Sequence, residues 1–411
     1  MPDTKQAILV VGTGVAGMQA ALDLANLGLS VHLVEQDSHL GGQALRLDKV
    51  YPTDHCAFCP VWTHAFACRE HPRITISTGT KFKGLRQGPE GSLALLEKAA
   101  RRIDGDKCVF CGRCMEICPQ KALLGHAPDL PWDPALPPVP WLDGGRCDSC
   151  GKCEPACPTG AIDAARQTNT FEIAVSDCIF AGGFQEPRPA PAPAPEFGGH
   201  THPDILTAMA FETLIAEWNA IPGVKLRCQS DGRPAGSLAF IQCAGARDRR
   251  FLPHCSAVCC MHAAKQASWL KRRQPDLDIA VFYTDLRAPG KGQEAYMKMA
   301  EELGVRFIRR RPGLVAPVDG PSGKGIALRH EADADVATTL ADIVVLNGGL
   351  ACCPCPEGTA EVSAQACGFC SEPADIANSV IQAGNAAALI CGGQTGDGAL
   401  CAAFQEIGGR S

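Results

Sequence analysis

The chain alternates short apolar runs with longer stretches in which apolar residues recur at helical spacing. AILVV at residues 7–11 is continuously apolar, which indicates a buried strand, and VAGMQAALDLANLG at 15–28 predicts a helix that ends at Gly28. LSVHLV at 29–34 predicts the next strand. Together these segments predict a β-α-β unit, the building block of parallel sheets.

A second unit of this kind is predicted in the second half of the chain. SLAFIQC at 237–243 and DIAVFYTD at 278–285 are strand-like, and a helix through AAKQASWLKRR is predicted between them. Predicted strands follow in VRFIRRR and ADIVVLNGG, and then a predicted helix in PADIANSVIQAGNAAALI, which has Pro373 near its start. Two such units indicate doubly wound α/β domains.

Two regions depart from this alternation. Residues 104–163 contain two cysteine-rich motifs among Pro, Gly and Asp with little hydrophobic periodicity, which predicts a small domain held together by metal. EPRPAPAPAPEFGG at 186–199 predicts an extended, semi-rigid surface loop. Between them, FEIAVSDCIFAGGF returns to strand-like sequence.

Composition excludes several classes of protein. The 411 residues are enough for two or three domains, and 38 basic against 44 acidic residues, without a long run of one sign, argue against nucleic-acid binding. No apolar stretch approaches the roughly 18 residues that span a bilayer. MPDTKQAILVVG runs directly into the first strand without the features of a signal peptide. We therefore expect a soluble, cytoplasmic protein.

The chain contains 24 cysteines, far above ordinary usage. Disulfide scaffolds belong to short secreted chains, whereas clustered cysteines in a long cytoplasmic chain indicate metal ligands. We therefore expect metal centres and an oxygen-sensitive, anaerobic setting.

A dinucleotide-binding motif follows the first strand. GxGxxG lies between a strand and a helix, where its glycines allow a tight turn, close approach of a pyrophosphate and close helix–strand packing. An acid ends the second strand, where it accepts a ribose 2′-OH. The residues predicted to bind the dinucleotide here are Gly12, Gly14, Val15, Ala16, Gly17 and Glu35.

The residues that follow distinguish FAD from NAD. EQDSHLGGQ places Gly41 and Gly42 just beyond the acid, which resembles the FAD-binding arm of two-dinucleotide flavoproteins. AGGF at 181–184 resembles the Ala-Thr-Gly segment by which those proteins return to the flavin, with Gly182 in place of the Thr. These features favour FAD, and an NAD-binding unit is the alternative.

Two ferredoxin motifs lie in the cysteine-rich region. CVFCGRCMEICP and CDSCGKCEPACP both have the spacing C-x2-C-x2-C-x3-C-P, which suits [4Fe–4S] clusters better than zinc. In such pairs the fourth cysteine of each motif ligates the other cluster. The predicted ligands are therefore Cys108, Cys111, Cys114 and Cys157 for one cluster, and Cys147, Cys150, Cys153 and Cys118 for the other.

Four further cysteines, Cys243, Cys255, Cys259 and Cys260, lie where a second dinucleotide loop is expected. Buried thiols are the simplest alternative, because free cysteine packs like a small hydrophobic residue. Adjacent cysteines at the start of a helix, with two more upstream, instead favour a third metal cluster.

The sequence at this point resembles a known family, the HdrA subunits of heterodisulfide reductase and their relatives. The blocks that resemble it are LGGQALRLDKVYPTDHCAFCP, QCAGARD, CSAVCCMHAAKQ, FYTDLRAPGKGQEAYMKMAEELGVRFIRRRP and PADIANSVIQAG. The resemblance implies a thioredoxin-reductase-like fold with one FAD, an inserted two-cluster ferredoxin domain and a further [4Fe–4S] cluster on the four cysteines just named. It also implies that Asp375 and Ile376, in the last block, lie at the flavin.

The longer members of that family carry an additional N-terminal domain and a C-terminal ferredoxin domain. This chain therefore resembles the shorter relatives, such as the flavin subunits of quinone-interacting membrane-associated oxidoreductases or of tungsten-dependent benzoyl-CoA reductase complexes. The implied partners are other redox subunits, similar to the HdrB and HdrC proteins of heterodisulfide reductase or to other iron-sulfur proteins, with no nucleic acid and no membrane span.

The sequence leaves open the roles of several cysteines and charged residues. Cys56, Cys59 and Cys68 are candidates for a fourth cluster, a redox dithiol or inert thiols. Arg287 and Lys291 either face a redox centre or form loop salt bridges. A further set of cysteines has no assignable spacing and could be thiols, cluster ligands or interface residues: Cys352, Cys353, Cys355, Cys367, Cys370, Cys391 and Cys401.

The leading functional interpretation is an electron hub in a multi-subunit anaerobic oxidoreductase, in which FAD exchanges electrons with [4Fe–4S] clusters. The family resemblance allows flavin-based bifurcation or confurcation. One alternative is an NAD(P)H-dependent oxidoreductase similar to the glutamate synthase small subunit, but no second GxGxxG is present near residue 240 or elsewhere. The other is a structural protein of the complex whose clusters only conduct.

The predicted domains follow these motifs. They are the first part of an FAD domain at 1–103, the ferredoxin domain at 104–168, the FAD-domain return with the Pro/Ala-rich loop at 169–234, a second Rossmann-like domain with the unusual cysteines at 235–340, and the completion of the FAD domain with its C-terminal helix at 341–411.

Overall fold

The computed structural model divides the chain into two compact units. The first comprises residues 1–45, 58–183 and 352–411, and the second 46–57 and 184–351. The residues whose structure is described are 7–88, 91–99, 103–105, 107–125, 139–163, 168–187, 195–197, 202–219, 221–320, 323–332, 335–353 and 364–395.

Strands and helices alternate through both units. The strands are β1 Ala7–Val11, β2 Val31–Val34, β3 Lys49–Val50, β4 His55–Cys56, β5 Ile74–Ser77, β6 Thr80–Gly88, β7 Gly91–Lys98, β8 Leu123–Leu124, β9 Trp141–Leu142, β10 Asn169–Phe180, β11 Phe184–Gln185, β12 Ile205–Thr207, β13 Ser237–Ile241, β14 Gly245–Leu252, β15 Asp278–Phe282, β16 Arg306–Ile308, β17 Leu314–Gly320, β18 Gly323–Ala332, β19 Asp335–Ala341, β20 Ile343–Leu346, β21 Ala351–Cys352 and β22 Ala364–Ala366. The helices are α1 Val15–Asn26, α2 Phe58–Glu70, α3 Arg113–Ile117, α4 Cys153–Ala156, α5 Ala208–Asn219, α6 Cys259–Arg273, α7 Gln293–Glu302 and α8 Ile376–Thr395.

The first unit is built on a mixed sheet with the order β5-β2-β1-β10-β7-β6, and β22 also pairs with β10. Strands β5, β2, β1, β10 and β22 run parallel, whereas β7 is antiparallel to β10 and to β6. Helices α1 and α8 belong to one hydrophobic core with the apolar side chains of β1 and β2. The β-α-β unit predicted at the N-terminus is confirmed, with α1 ending at Asn26, two residues before the predicted Gly28.

The second unit contains a five-stranded parallel sheet with the order β12-β20-β13-β15-β16. Phe240, Val281 and Val345, from three of its strands, are almost fully buried with side chains of α5 and α6. β17, β18 and β19 form an antiparallel meander. Its apolar side chains belong to a second hydrophobic core of this unit, together with other side chains of the parallel sheet. Two sheets of this kind give the predicted doubly wound α/β architecture.

The ferredoxin-like segment is compact and has almost no regular structure. Its hairpin of β8 and β9, a bridge between Ile103 and Ile162, and the short helices α3 and α4 surround a small apolar core. Cysteine sulfurs make up much of that core. This agrees with a domain whose stability depends on bound metal.

The unit boundaries differ from the residue ranges predicted for the domains. β12 and β20 both pair within the sheet of the second unit, although their sequences lie outside 235–340. Hydrophobic periodicity locates a strand but does not tell which sheet it joins. Most of the loop predicted at 186–199 lies outside the described residues; within it, Pro195–Phe197 forms a 3-10 turn, and the Phe197 side chain is buried in the second unit.

Candidate functional site

The GxGxxG turn of the first unit packs tightly against the end of β10. A β-carbon on Gly12 would lie 2.4 Å from the carbonyl oxygen of Ala181, and one on Gly17 would lie 1.9 Å from that of Gly12 and 3.3 Å from Cβ of Ala181. Only glycine fits these two positions, so the motif brings the start of α1 against the AGGF segment. Both lie at the carboxyl edge of parallel strands, where dinucleotides bind in this class of fold.

Gly14 differs from its two neighbours in the motif. Among the described residues, no atom lies within 4 Å of a β-carbon built on it. It is the N-cap of α1, so the unpaired N–H groups of the first helical turn, which includes Val15 and Ala16, lie beside this open space. An open space at a helix N-terminus fits a pyrophosphate.

The Glu35 side chain forms hydrogen bonds with the same turn. Its Oε2 accepts hydrogen bonds from the backbone N–H of Thr13 at 2.9 Å and from the Thr13 hydroxyl at 2.6 Å, and its Oε1 accepts from the N–H of Asp37 at 2.9 Å. Burial raises the pKa of this carboxyl, and the charge of Asp37 adds to the effect, while the hydrogen bonds oppose it. Its carboxyl group therefore lies at the edge of the GxGxxG turn.

The other residues predicted to bind FAD lie around this turn. The N–H of Gly41 donates to the carbonyl of Thr13 at 2.9 Å, and a β-carbon on Gly42 would lie 2.9 Å from Cα of Gly14. Gly182 follows Ala181, which contacts the motif. The structure thus brings together segments that are distant in sequence.

Asp375 and Ile376 are placed at the start of α8. A carboxylate oxygen of Asp375 accepts the N–H of Asn378 at 2.9 Å, which makes Asp375 the helix cap, and Ile376 is the first helical residue. Nearby, a β-carbon on Gly368 would lie 2.7 Å from Cβ of Ala16 in α1. Contact of either residue with FAD remains a prediction.

The eight ferredoxin cysteines fall into two groups of four. Cys108, Cys111, Cys114 and Cys157 line one cavity, and Cys118, Cys147, Cys150 and Cys153 line another. Each cavity takes three cysteines from one motif and the fourth from the other, which is the grouping expected from the spacing.

The fourth cysteine of each motif has the same surroundings. The backbone N–H of Ala122 donates to the Cys118 sulfur at 3.3 Å, and that of Ala161 donates to the Cys157 sulfur at 3.2 Å. Burial acts to raise the pKa of Cys157, but hydrogen bonds from Thr159 and Ala161 hold it below its ordinary value. N–H groups directed at sulfur stabilise the thiolate form that ligates iron.

In the second unit, the unusual cysteines gather at the carboxyl end of β13. Cys243 lies two residues beyond the strand, and Cys259 and Cys260 begin α6. Electrostatic interactions link both helix residues to Cys243 and Cys255, so these cysteines lie near one another. Among the described residues, no three His, Cys, Asp or Glu side chains are placed to hold a single metal ion. Burial raises the pKa of Cys260 to about 11. Metal binding at such a site must therefore displace protons from thiols.

The loop that carries this group has a strained backbone. Cys243, Arg247 and Ala257 have φ values of 57°, 61° and 59°, a conformation that non-glycine residues rarely adopt. Strain of this kind persists where the surrounding structure requires it, often at functional sites. The backbone N–H of Ala257 also donates to the Cys255 sulfur at 3.4 Å.

A small charge network lies beside the same cysteines. Burial raises the pKa of the Cys243 thiol, and the charge of Arg247 opposes this rise. Arg247 pairs with Asp285, which also accepts from Arg287 at 3.1 Å. The backbone N–H of Arg287 stabilises the Cys260 thiolate. Arg287 therefore forms the loop salt bridge and also lies next to the cysteine group. Lys291 is exposed.

The sequence did not predict a network of buried polar side chains between α5 and α6. Glu212 and Lys265 are 1% and 2% exposed and form an ion pair, and Glu212 also accepts from His262 and Gln266. Burial alone would raise the pKa of Glu212, but the charge of Lys265 and the His262 contact hold it well below its ordinary value. A Glu among apolar residues in α5 was the available signal.

Cys56, Cys59 and Cys68, the candidates for a fourth cluster, do not all lie in the same unit. Cys56 lies on β4 of the second unit, whereas Cys59 and Cys68 lie on α2 of the first. Nine residues of helix turn through about 900°, so Cys59 and Cys68 point to opposite sides. Cys68 is fully buried in the core with a pKa raised by burial to about 12. These features match the inert-thiol alternative for Cys68.

Comparisons with known proteins match two regions of the chain to family models. The FAD dependent oxidoreductase family model matches residues 7–49, and the 4Fe-4S binding domain model matches residues 101–124 and 140–163. The structure is similar to thioredoxin reductase from T. acidophilum, with a TM-score of 0.51, 12% identity and coverage of 94% of this chain and 97% of the other. Thioredoxin reductase from Lactococcus lactis gives a TM-score of 0.50 with 12% identity, over 93% of this chain and 97% of the other.

The sequence is similar to the HdrA subunits of heterodisulfide reductases. One such iron-sulfur protein, from the CoB–CoM heterodisulfide reductase of Methanopyrus kandleri, is 38% identical over 361 residues, or 85% of this chain and 54% of that protein. Its counterpart in the H2/formate:CoB-CoM heterodisulfide,ferredoxin reductase of Methanococcus maripaludis is 36% identical over the same shares. The chain thus spans about half the length of these relatives. In the part of the chain that is described, no helix is long and apolar enough to cross a membrane.

Proposed function

Because this chain belongs to the HdrA family of heterodisulfide reductase iron-sulfur flavoproteins, we propose that it is an electron-transfer hub. In this proposal FAD binds to the first unit, two [4Fe–4S] clusters bind to the ferredoxin segment, and a third binds to the second unit. Electrons pass between the flavin and the clusters.

The first unit supplies the flavin site. When bound, FAD supplies a centre that takes two electrons together and releases them singly. The N–H groups at the start of α1 bind the pyrophosphate, the open space at Gly14 admits it, and Glu35 accepts a ribose hydroxyl. The AGGF segment, held against the GxGxxG turn, closes one side of this site.

The ferredoxin segment supplies two one-electron centres. Each group of four cysteines that lines a cavity ligates one [4Fe–4S] cluster, and the N–H groups of Ala122 and Ala161 stabilise the negative sulfurs. The sharing of ligands between motifs holds the two clusters in one small domain. This segment links the flavin to partner subunits.

The observation that carries the proposal is the cysteine group at the carboxyl end of β13. In a two-dinucleotide reductase this edge holds a nucleotide phosphate loop. Here the same edge presents Cys243, with Cys259 and Cys260 at the start of the following helix. Ligands for a cluster in place of a nucleotide cradle support electron exchange through iron and sulfur instead of nicotinamide. Arg247, whose charge acts on Cys243, stabilises the added negative charge of a reduced cluster.

The partners follow from the same family. We propose that the chain works with other redox subunits, similar to HdrB and HdrC of heterodisulfide reductase or to other iron-sulfur proteins, and that flavin-based bifurcation or confurcation is the reaction to test. The relatives named above are themselves subunits of reductases that act on the CoB–CoM heterodisulfide.

The experiment is an anaerobic redox titration of the purified chain, with flavin absorbance and cluster paramagnetic resonance followed together. The hub requires that flavin and clusters come to a common potential through intramolecular exchange. A flavin that never exchanges electrons with any cluster would refute it. Rapid bleaching of the flavin by NADH alone would instead support the nicotinamide-dependent alternative.

A further inference from the structure

Four cysteines without an assigned role lie together in the first unit, beside its proposed flavin site. Cys352 and Cys353 follow one another, Cys367 is the N-cap of the 3-10 turn Gly368–Cys370, and Cys370 is the last residue of that turn. Electrostatic interactions connect Cys353 to Cys370 and Cys352, and Cys367 to Cys370. Electrostatic interaction also links Cys370 to Cys352.

This group contacts the segments that form the dinucleotide edge. The backbone N–H of Cys353 donates to the carbonyl of Gly183 at 3.0 Å, and a β-carbon on Gly182 would lie 3.4 Å from Cβ of Cys353. Burial raises the pKa of Cys370, and the backbone N–H groups of Gly183 and Gly182 oppose this rise. Cys353 and Cys370 therefore flank the same two residues of the AGGF segment.

The sulfurs of Cys352 and Cys370 lie within hydrogen-bond distance of backbone carbonyl oxygens. The Cys352 sulfur donates to the carbonyl of Phe369 at 2.9 Å. The Cys370 sulfur lies 3.1 Å from the carbonyl oxygens of both Phe180 and Cys367, either of which can accept its single S–H. A carbonyl oxygen repels a thiolate and stabilises a thiol. In the ferredoxin segment, by contrast, Cys118 and Cys157 accept backbone N–H groups.

We propose that Cys353 and Cys370 form a reversible dithiol–disulfide couple that exchanges two electrons with the flavin, an inference that rests on the FAD site proposed above. On oxidation, the two S–H bonds break and one S–S bond forms. Two electrons and one proton pass to the oxidised isoalloxazine, and the second proton passes to solvent. The reverse reaction reduces the disulfide. The couple gives the flavin a two-electron partner besides its one-electron clusters.

Burial is consistent with this chemistry. Cys353 and Cys370 are half-buried, and burial raises the pKa of both thiols. An uncharged disulfide is easier to bury than two thiolates. The N–H groups of Gly182 and Gly183 make Cys370 the better candidate for the attacking thiolate.

The test is mass spectrometry of the whole chain after anaerobic oxidation with ferricyanide, alkylation of free thiols and cleavage after glutamate. Glu357 and Glu361 lie between the two cysteines, so cleavage places Cys353 in residues 332–357 and Cys370 in a separate peptide that begins at residue 362. We expect these two peptides to be joined, and to separate after photoreduction of the bound flavin. A disulfide between Cys367 and Cys370 would stay within one peptide and would overturn the pairing.

Single substitutions identify which two cysteines form the disulfide. Cys353→Ala and Cys370→Ala should each abolish the joined peptide, whereas Cys352→Ala, the matched control, should retain it. Loss of the joined peptide in Cys352→Ala with retention in Cys353→Ala would overturn the inference, as would full alkylation of all four thiols after oxidation. A loss of about four iron atoms in Cys353→Ala would assign the group to a cluster instead. The disulfide is scored whether or not flavin is bound, so failure of the FAD site is seen separately as missing flavin absorbance.

Discussion

Gly17 approaches Gly12 so closely that a β-carbon on Gly17 would lie 1.9 Å from the Gly12 carbonyl oxygen. This contact sets the start of α1 against the end of β1 and leaves the space beside Gly14 open. The two kinds of glycine in one motif therefore serve different purposes, one for packing and one for the ligand.

Substitutions in the motif should separate these purposes. Gly14→Ala should lower the bound FAD at least tenfold while the thermal unfolding midpoint of the FAD-free chain stays unchanged, because the new methyl group meets no described atom and fills the proposed phosphate space. Gly17→Ala should lower both FAD content and unfolding midpoint. Gly144→Ala, another glycine with open surroundings, is the control and should change neither. Normal FAD content in Gly14→Ala would contradict the placement of the pyrophosphate.

The sharing of ligands between the ferredoxin motifs predicts non-additive iron losses. Cys108→Ser and Cys157→Ser should each remove about four iron atoms, and the double variant should remove the same number, because both residues serve one cluster. The combination of Cys108→Ser with Cys118→Ser should remove about eight. Iron and acid-labile sulfide are measured after anaerobic purification. A loss of about eight from the first pair alone would show that each motif binds its own cluster.

The charge beside Cys243 predicts a change in redox potential. Arg247→Ala removes a cation whose charge acts on Cys243, so the reduced cluster loses stabilisation. Its midpoint potential should fall by some tens of millivolts, where about 59 mV corresponds to about 1.4 kcal/mol for one electron. Arg306→Ala is the control, because Arg306 pairs with Asp278 in an exposed bridge. Equal potentials in both variants, measured by redox titration with paramagnetic resonance, would disprove the role of Arg247.

The buried ion pair below α6 predicts a large effect on stability. Glu212→Gln leaves the buried Lys265 without its anion and should cost about 3–5 kcal/mol, seen as a lower unfolding midpoint. Lys225→Met, in an exposed pair with Asp276, should cost less than about 1 kcal/mol. Because the pKa of Glu212 is depressed in the folded chain, the stability that it contributes is present at neutral pH and is lost as pH falls below its ordinary value of 4.5. Stability of Glu212→Gln equal to that of the parent chain would exclude this contribution.

The sequence predicts local structure well where a motif consists of a few consecutive residues. The glycines before α1 and the ferredoxin spacings predict their own conformations, because each motif is a single turn with fixed requirements. The gathering of Cys352, Cys353, Cys367 and Cys370 could not be predicted, since it depends on β22 pairing with β10 and on the turn packed at Ala16. The pairing of Glu212 with Lys265, 53 residues apart, likewise depends on the packing of α5 and α6.

The separation of Cys59 from Cys68 has a similar origin. A C-x2-C spacing followed by a third cysteine suggests a ligand set, but a continuous helix from Phe58 to Glu70 places Cys59 and Cys68 on opposite faces. Spacing alone does not tell a helix from a loop that wraps around a cluster. The strained residues Phe110 and Ser149, with φ values of 51° and 59°, mark such loops in the ferredoxin segment.

The most direct test of the hub is the iron-to-flavin ratio of the anaerobically purified chain, read together with paramagnetic resonance of the reduced clusters. Two ferredoxin clusters and a third at Cys243, Cys255, Cys259 and Cys260 predict about 12 iron atoms per FAD, falling to about eight in Cys259→Ser. A ratio of about eight in the parent chain, unchanged by Cys259→Ser, would contradict the account.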